Sequence, residues 1–185
     1  MRYEKKVVGG LPCFLGRRGC GKVERFLGES FFHALATMNK SKSVTIRDAK
    51  TKNFDSVFLL LSQLWPDKKL DKILLKKVYS RLLNSDHEEL FCAEIEGQIV
   101  GFCTLSIRDS LWQESRMGHI CELVVDETFR GKKIGTNLIR KAINVAQKRG
   151  CKKIELDSAF HRKEAHHFYR KIGFEGRAYL FSKNI

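Results

Sequence analysis

No apolar run in this 185-residue chain approaches the roughly 20 residues that a helix needs to cross a bilayer, so a soluble, cytoplasmic protein is expected. Paired metal ligands are missing too. The six cysteines (Cys13, Cys20, Cys92, Cys103, Cys121 and Cys151) include no C-x-x-C and the histidines no H-x-x-x-H, so neither set completes a zinc site. Sitting singly and mostly beside apolar residues, the cysteines read as buried thiols in a reducing compartment. Acidic residues are scarce: 21 Asp and Glu against 35 Lys and Arg leave a formal net charge of +14. That balance calls for anionic partners, such as a phosphorylated cofactor, a nucleic acid or an acidic membrane surface. The basic residues are scattered from Lys5 to Lys183 with no aromatic-interleaved stripe, which disfavours nucleic acid. A P-loop is incomplete as well. Gly16, Gly21 and Lys22 match G-x-x-x-x-G-K, but Val23 stands where a Ser or Thr hydroxyl should hold magnesium.

What is present is ordinary globular composition, 43% hydrophobic and 30% charged, enough at this length for one domain with a sizeable core. Residues 1–43 are glycine-rich and basic and lack regular apolar periods, so they read as an N-terminal extension of uncertain order. From Val44 the pattern becomes regular. A short strand over residues 44–47 is followed by a helix over 54–65 with an apolar stripe of Val57, Phe58, Leu61, Leu64 and Trp65, ended by Pro66. Leu70, Ile73, Leu74, Val78 and Leu82 recur at helical spacing. The strands LFCAEI and IVGFCTLSI flank Glu96-Gly97-Gln98, a hairpin signal, and GHICELVVD forms the next strand. A helix carrying Ile134, Leu138, Ala142, Ile143 and Ala146 on one face ends at Gly150, with a strand at KKIELD, a short helix over 163–171 and a last strand over 174–181. This order predicts a mixed α/β domain over residues 44–185.

The run ICELVVDETFRGKKIGT, residues 120–136, leads a β-branched strand through a short turn into a glycine-punctuated helix start. Such a turn leaves the backbone N–H groups of Gly131, Lys132, Lys133, Ile134 and Gly135 without intrahelical acceptors, and the positive end of the helix dipole points at the same spot. It is a cradle for a diphosphate, with Gly131 and Gly135 permitting close approach and positive φ, and Arg130, Lys132 and Lys133 adding charge.

ELVVDETFRGKKIGTNLI followed by SAFHRKEAHHFYRKIGFE resembles the acetyl-CoA-binding core of the GCN5-related N-acetyltransferase (GNAT) family, over about residues 44–181. The resemblance implies a single GNAT-type domain, with a mixed, mostly antiparallel central sheet flanked by helices and a splayed central strand pair. The family's loop Q/R-x-x-G-x-G/A falls on Arg130, Lys133 and Gly135, with Lys133 replacing a glycine; it is expected to stay helical with its side chain outward. The resemblance makes acetyl-CoA the co-substrate, held by the backbone of Leu123, Val124 and Val125, by the loop from Arg130 through Gly131, Lys132, Lys133, Ile134 and Gly135 to Thr136, and by His161, Ala165 and Phe168. Tyr169 corresponds to the tyrosine whose hydroxyl protonates the departing CoA thiolate. A thiol of pKa about 8.5 leaves fairly well unaided, so that donor is worth about ten- to a hundredfold.

An alkylamine of pKa near 10.4 is only about one part in a thousand neutral at pH 7, so a base is needed. Many relatives place a carboxylate at the position of Cys121. Strand alternation puts His119 on one face with Cys121, Leu123 and Val125, and Glu122 on the other. His119 and Glu122 are equal candidates for the base and Asp157 is third. The expected activity is acetyl transfer to a primary amine by direct attack in a ternary complex. RGKKIG and AHHFY resemble aminoalkylphosphonate acetyltransferases, and SQLWPD echoes aminoglycoside acetyltransferases; a polyamine, a protein N-terminus or a lysine also stays open as acceptor. The competing classes are a non-catalytic acyl-CoA sensor and a basic nucleic-acid-associated protein. No metal and no membrane partner is expected, and homodimerisation stays open.

Overall fold

The computed structural model describes residues 43–185; the P-loop-like Gly16, Gly21 and Lys22, and Cys13 and Cys20, lie outside them. The described elements are β1 (Thr45–Asp48), a 3-10 turn, α1 (Phe54–Leu64), α2 (Lys72–Leu83), β2 (Glu88–Ile95), β3 (Gln98–Ser110), β4 (Ser115–Val125), a second 3-10 turn (Glu127–Phe129), α3 (Ile134–Lys148), β5 (Cys151–Leu156) and α4 (Lys163–Lys171). The strands form one sheet in the order β1-β2-β3-β4-β5, antiparallel except for the parallel β4-β5 pair. Among the described residues no helix is long and apolar enough to cross a membrane.

Local chemistry sets these elements. Glu96 and Gly97 both take positive φ (50° and 82°), the two-residue turn whose twist suits a hairpin, and β2 and β3 pair across it. The Asp71 carboxylate accepts the Ile73 and Leu74 N–H groups at 2.8 and 2.9 Å and starts α2. Gly150, at φ 80°, ends the turn after α3.

The sheet has two covered faces. On one, Ile134, Leu138, Ile139, Ala142 and Ala146 of α3 pack on Phe91, Ala93, Val100, Cys103, Leu105 and Ile120, with Phe168 and Tyr169 of α4 at the margin. On the other, Phe54, Val57, Leu60 and Leu61 of α1 and Tyr79 of α2 pack on Leu90, Cys92, Phe102 and Val124.

Two sequence expectations fail here. Ile73, Leu74 and Val78 are exposed instead of forming the buried stripe of α2. Leu70 and Leu82 of the expected set do pack, but they are joined by Leu75, Tyr79 and Leu83: the Tyr79 hydroxyl donates to the Lys50 carbonyl at 3.0 Å, and its ring lies 5.4 Å from that of Phe54. The last strand over 174–181 does not form. Phe174 turns back onto Tyr169, with ring centroids 6.0 Å apart, and the rest of that segment, including Tyr179, Leu180 and Phe181, is exposed without a ladder.

Candidate active site

The parallel β4-β5 pairing runs only from Arg116 opposite Cys151 to Ile120 opposite Leu156. β5 ends at Leu156, and the edge of β4 from Cys121 to Val125 is unpaired on the β5 side. The strand pair expected to be central and splayed stands instead at the edge of the sheet among the described residues, and its pairing stops where β5 ends. The open edge leads straight into the turn that starts α3.

That turn leaves a run of backbone amides without partners at a helix start. Its first helical hydrogen bond runs from Asn137 N–H to the Lys133 carbonyl at 3.0 Å, and no backbone acceptor receives the N–H groups of Gly131, Lys132, Lys133, Ile134, Gly135 or Thr136. Gly131 has φ 79°, and a Cβ placed on it would meet nothing within 4 Å. Amides so arranged suit an anion. The turn is braced from behind: Gln63 of α1 donates to Asp126 at 3.1 Å and accepts the Glu127 N–H at 3.3 Å.

Lys133 corrects one expectation. It is left-handed, with φ 61° and ψ 12°, and so adopts the conformation that a glycine there would take freely. Its exposed side chain does point away from the core. Lys133→Gly should therefore raise stability by about 1 kcal/mol, the cost of a left-handed side-chain-bearing residue, with unchanged coenzyme affinity; thermal melts and calorimetry check both. Gly135, by contrast, lies in ordinary helical backbone, and its value is space: a Cβ there would sit 3.4 Å from Phe168 Cζ and 3.7 Å from Val125 Cγ2. Ile134 is 1% exposed, so only its backbone serves the cradle. Lys132 is exposed, with its Nζ 4.7 Å from the Phe129 ring centroid. Arg130 is turned onto the open edge, its Nε donating to the Val125 carbonyl at 3.4 Å. Val124 packs under α1, whereas Leu123 and Val125 pack on the α3 side. Thr136 and Ala165 are half-buried, and His161 is exposed in the turn before α4.

The candidate bases are arranged differently from strand alternation. In the β3-β4 ladder Cys103 pairs with Leu123 but Leu105 with Ile120, so β4 carries one extra residue opposite Thr104, a bulge at Cys121 and Glu122. The bulge resets the alternation. His119, paired with Ser106, and Glu122, bonded to Thr104, both lie on the α1-α2 face, and Leu123 and Val125 lie on the opposite one. His119 and Glu122 are thus brought together, not separated.

Glu122 is half-buried. Its Oε2 accepts from the Thr104 hydroxyl, whose oxygen in turn accepts the Glu122 N–H at 3.0 Å. Burial raises its pKa above the usual carboxylate range, the Thr104 bond opposes this, Glu88 adds to it and His119 opposes it. His119 Nε2 lies 3.3 Å from Asp157 Oδ2, whereas Nδ1 is buried without a hydrogen-bond partner, 3.6 Å from a Glu155 Oε1 that Arg108 Nη2 holds at 2.9 Å. Cys121 is exposed as a residue, against the expectation of a buried thiol, while its Sγ rests 3.7 Å from the His119 carbonyl oxygen. Desolvation of its sulfur, followed by Glu122 and Glu88, pushes the thiol up to about 11. It therefore stays protonated at pH 7 and is a poor nucleophile.

Tyr169 lies on the other side of the open edge, packed between Phe168 and Phe174 at 5.4 and 6.0 Å. Burial raises its phenol pKa above 10, so at neutral pH it holds its proton. The sequence reading missed Thr104, Gln63 and Arg162, whose Nη2 donates to the Leu64 carbonyl at 2.8 Å and ties the approach to α4 to the end of α1. A threonine amid the apolar run of β3 was the one available signal. Among the described residues no cluster of His, Cys, Asp and Glu could hold a metal.

The model of the Acetyltransferase (GNAT) family matches residues 54–174. An uncharacterised N-acetyltransferase of Methanocaldococcus jannaschii is 33% identical over 95% of this chain and 79% of its own length. The aminoalkylphosphonate N-acetyltransferase of Salmonella typhimurium is 30% identical over 76% of this chain and 90% of its own. A solved aminoglycoside N-acetyltransferase in complex with CoA superposes with a TM-score of 0.70, covering 80% of this chain and 99% of that one at 22% identity.

Proposed function

The chain belongs to the GNAT family of acetyltransferases and is an acyltransferase acting on amines, and from that premise we propose that it transfers acetyl from acetyl-CoA directly to a small-molecule primary amine. One observation carries the reading: the unpaired edge of β4 runs into six unengaged amides, with Glu122 on one face of that edge and Tyr169 on the other. Amides 131–136 would hold the diphosphate of the coenzyme, and the backbone of 121–125 its acyl-bearing arm. Acetyl-CoA, when bound, supplies the acetyl group as a thioester.

The chain's own residues do the rest. Glu122 takes the proton of the attacking amine, an ammonium that must be neutralised before it can attack. His119, between Asp157 and Glu155, flanks the carboxylate and favours its charged form. Tyr169 gives its proton to the departing thiolate. Since Cys121 holds its own proton, direct transfer is favoured over an acetylated enzyme. The carboxylates of Glu88, which acts on Glu122, and of Asp157, beside His119, favour a cationic acceptor. Residues 44–185 would form the catalytic domain, and the unpaired thiols of Cys92, Cys103, Cys121 and Cys151 suit the cytoplasm.

The test is free-thiol release from acetyl-CoA across spermidine, 2-aminoethylphosphonate, glucosamine 6-phosphate, kanamycin and short peptides. Amine-dependent thiol release with a mass gain of one acetyl group supports the reading. Tight acetyl-CoA binding with no release to any amine makes the protein a sensor. Tyr169→Phe should lower single-turnover rates about ten- to a hundredfold with unchanged acetyl-CoA affinity. An unchanged rate removes the tyrosine from the mechanism.

A further inference from the structure

Thr104 is a polar residue in an apolar place. It is 2% exposed in the middle of β3, with Leu90 of β2 on one side and the bulge of β4 on the other. A bulge leaves a backbone group out of the ladder, and buried backbone groups need partners. Here the group is the Glu122 N–H, which donates to Thr104 Oγ1 at 3.0 Å. The same hydroxyl spends its single proton on Glu122 Oε2. One side chain therefore ties the backbone and the carboxylate of the same residue.

The tie has two effects. A glutamate on an open edge samples many rotamers, and bonding both its ends to one hydroxyl selects one of them. A donor to the carboxylate also favours its charged form, against the desolvation and the Glu88 charge that oppose it. Serine could make both bonds. Valine has the shape of threonine and makes neither.

We propose that Thr104 is a positioning residue for acetyl transfer, holding the Glu122 carboxylate at the bulge of β4 in the orientation from which it reaches an amine on the open edge. This rests on the reading of Glu122 as the base, and the experiment separates the two.

In the full-length chain the carboxyl carbon-13 resonance of Glu122, identified by its loss in Glu122→Gln, is titrated in wild type, Thr104→Val and Thr104→Ser. No acceptor is needed. Thr104→Val should move the midpoint upward by about one pH unit, and Thr104→Ser should leave it in place. With spermidine and 2-aminoethylphosphonate as probes, the acid limb of kcat/KM should move the same way. At pH 7 kcat should fall about tenfold through the lost orientation of the carboxylate, with the KM for acetyl-CoA unchanged. Thr104→Val added to Glu122→Gln should cost nothing more. If Thr104→Val does not fold, Thr104→Cys, of similar size and a weak donor, is held to the same shifts. An unmoved midpoint with an inactive Glu122→Gln overturns this proposal alone. Full turnover by Glu122→Gln overturns the base assignment and this proposal with it.

Discussion

Replacing Glu122 with Gln is expected to lower kcat at pH 7 about a hundredfold or more while acetyl-CoA affinity stays within about twofold, because general-base assistance is lost and the cradle is untouched. The same variant should be more stable than wild type at neutral pH. The folded-state pKa of Glu122 is raised, chiefly by burial, above its unfolded value near 4.3. Between those two values the native state binds more protons than the unfolded one. Whatever stability the neutral carboxyl allows is complete below the unfolded pKa and is lost as pH rises through the folded pKa. At pH 7 the buried charge is a liability, and Gln removes it while still bonding Thr104. Melting curves at pH 4 and pH 7 should show the gain only at pH 7, and a variant less stable at both would contradict the assignment. With Glu122 as the base, the site would trade stability for a pKa closer to working pH.

The second large effect is expected at Gly135. Its would-be Cβ makes only ordinary contact, 3.4 Å to Phe168 Cζ and 3.7 Å to Val125 Cγ2, so Gly135→Ala should weaken coenzyme binding less than about threefold. Leu carries three further carbons into the same gap. It must push Phe168 away or shift the start of α3, which moves the amides out of register with a diphosphate. Gly135→Leu should lose at least about a hundredfold in acetyl-CoA affinity, at a stability cost of about 1–3 kcal/mol. Isothermal calorimetry distinguishes the pair. Wild-type affinity in Gly135→Leu would place the anion site elsewhere.

Much of this was legible in the sequence because it depends on local chemistry. The hairpin at Glu96-Gly97, the amphipathic α3 from Ile134 to its end before Gly150, and the cradle between them follow from turn residues and apolar period. The orientation of the base was not legible. Whether His119 and Glu122 share a face depends on the extra residue opposite Thr104, and a bulge is a property of two paired strands that alternation along one cannot show. The outward Ile73, Leu74 and Val78 have a similar cause. Two apolar stripes overlap on α2, and only the fit of Tyr79 against Phe54 and Phe102 chooses between them. At Lys133 the family motif carried the information that residue type alone hid: the position is left-handed, whatever side chain occupies it.

The most direct measurement is the amide nitrogen-15 spectrum of the full chain titrated with CoA. The N–H signals of residues 131–136 should shift furthest and saturate together, followed by those of 121–125 along the open edge of β4. Saturation by CoA with the 131–136 amides unmoved and the largest shifts elsewhere would contradict the account.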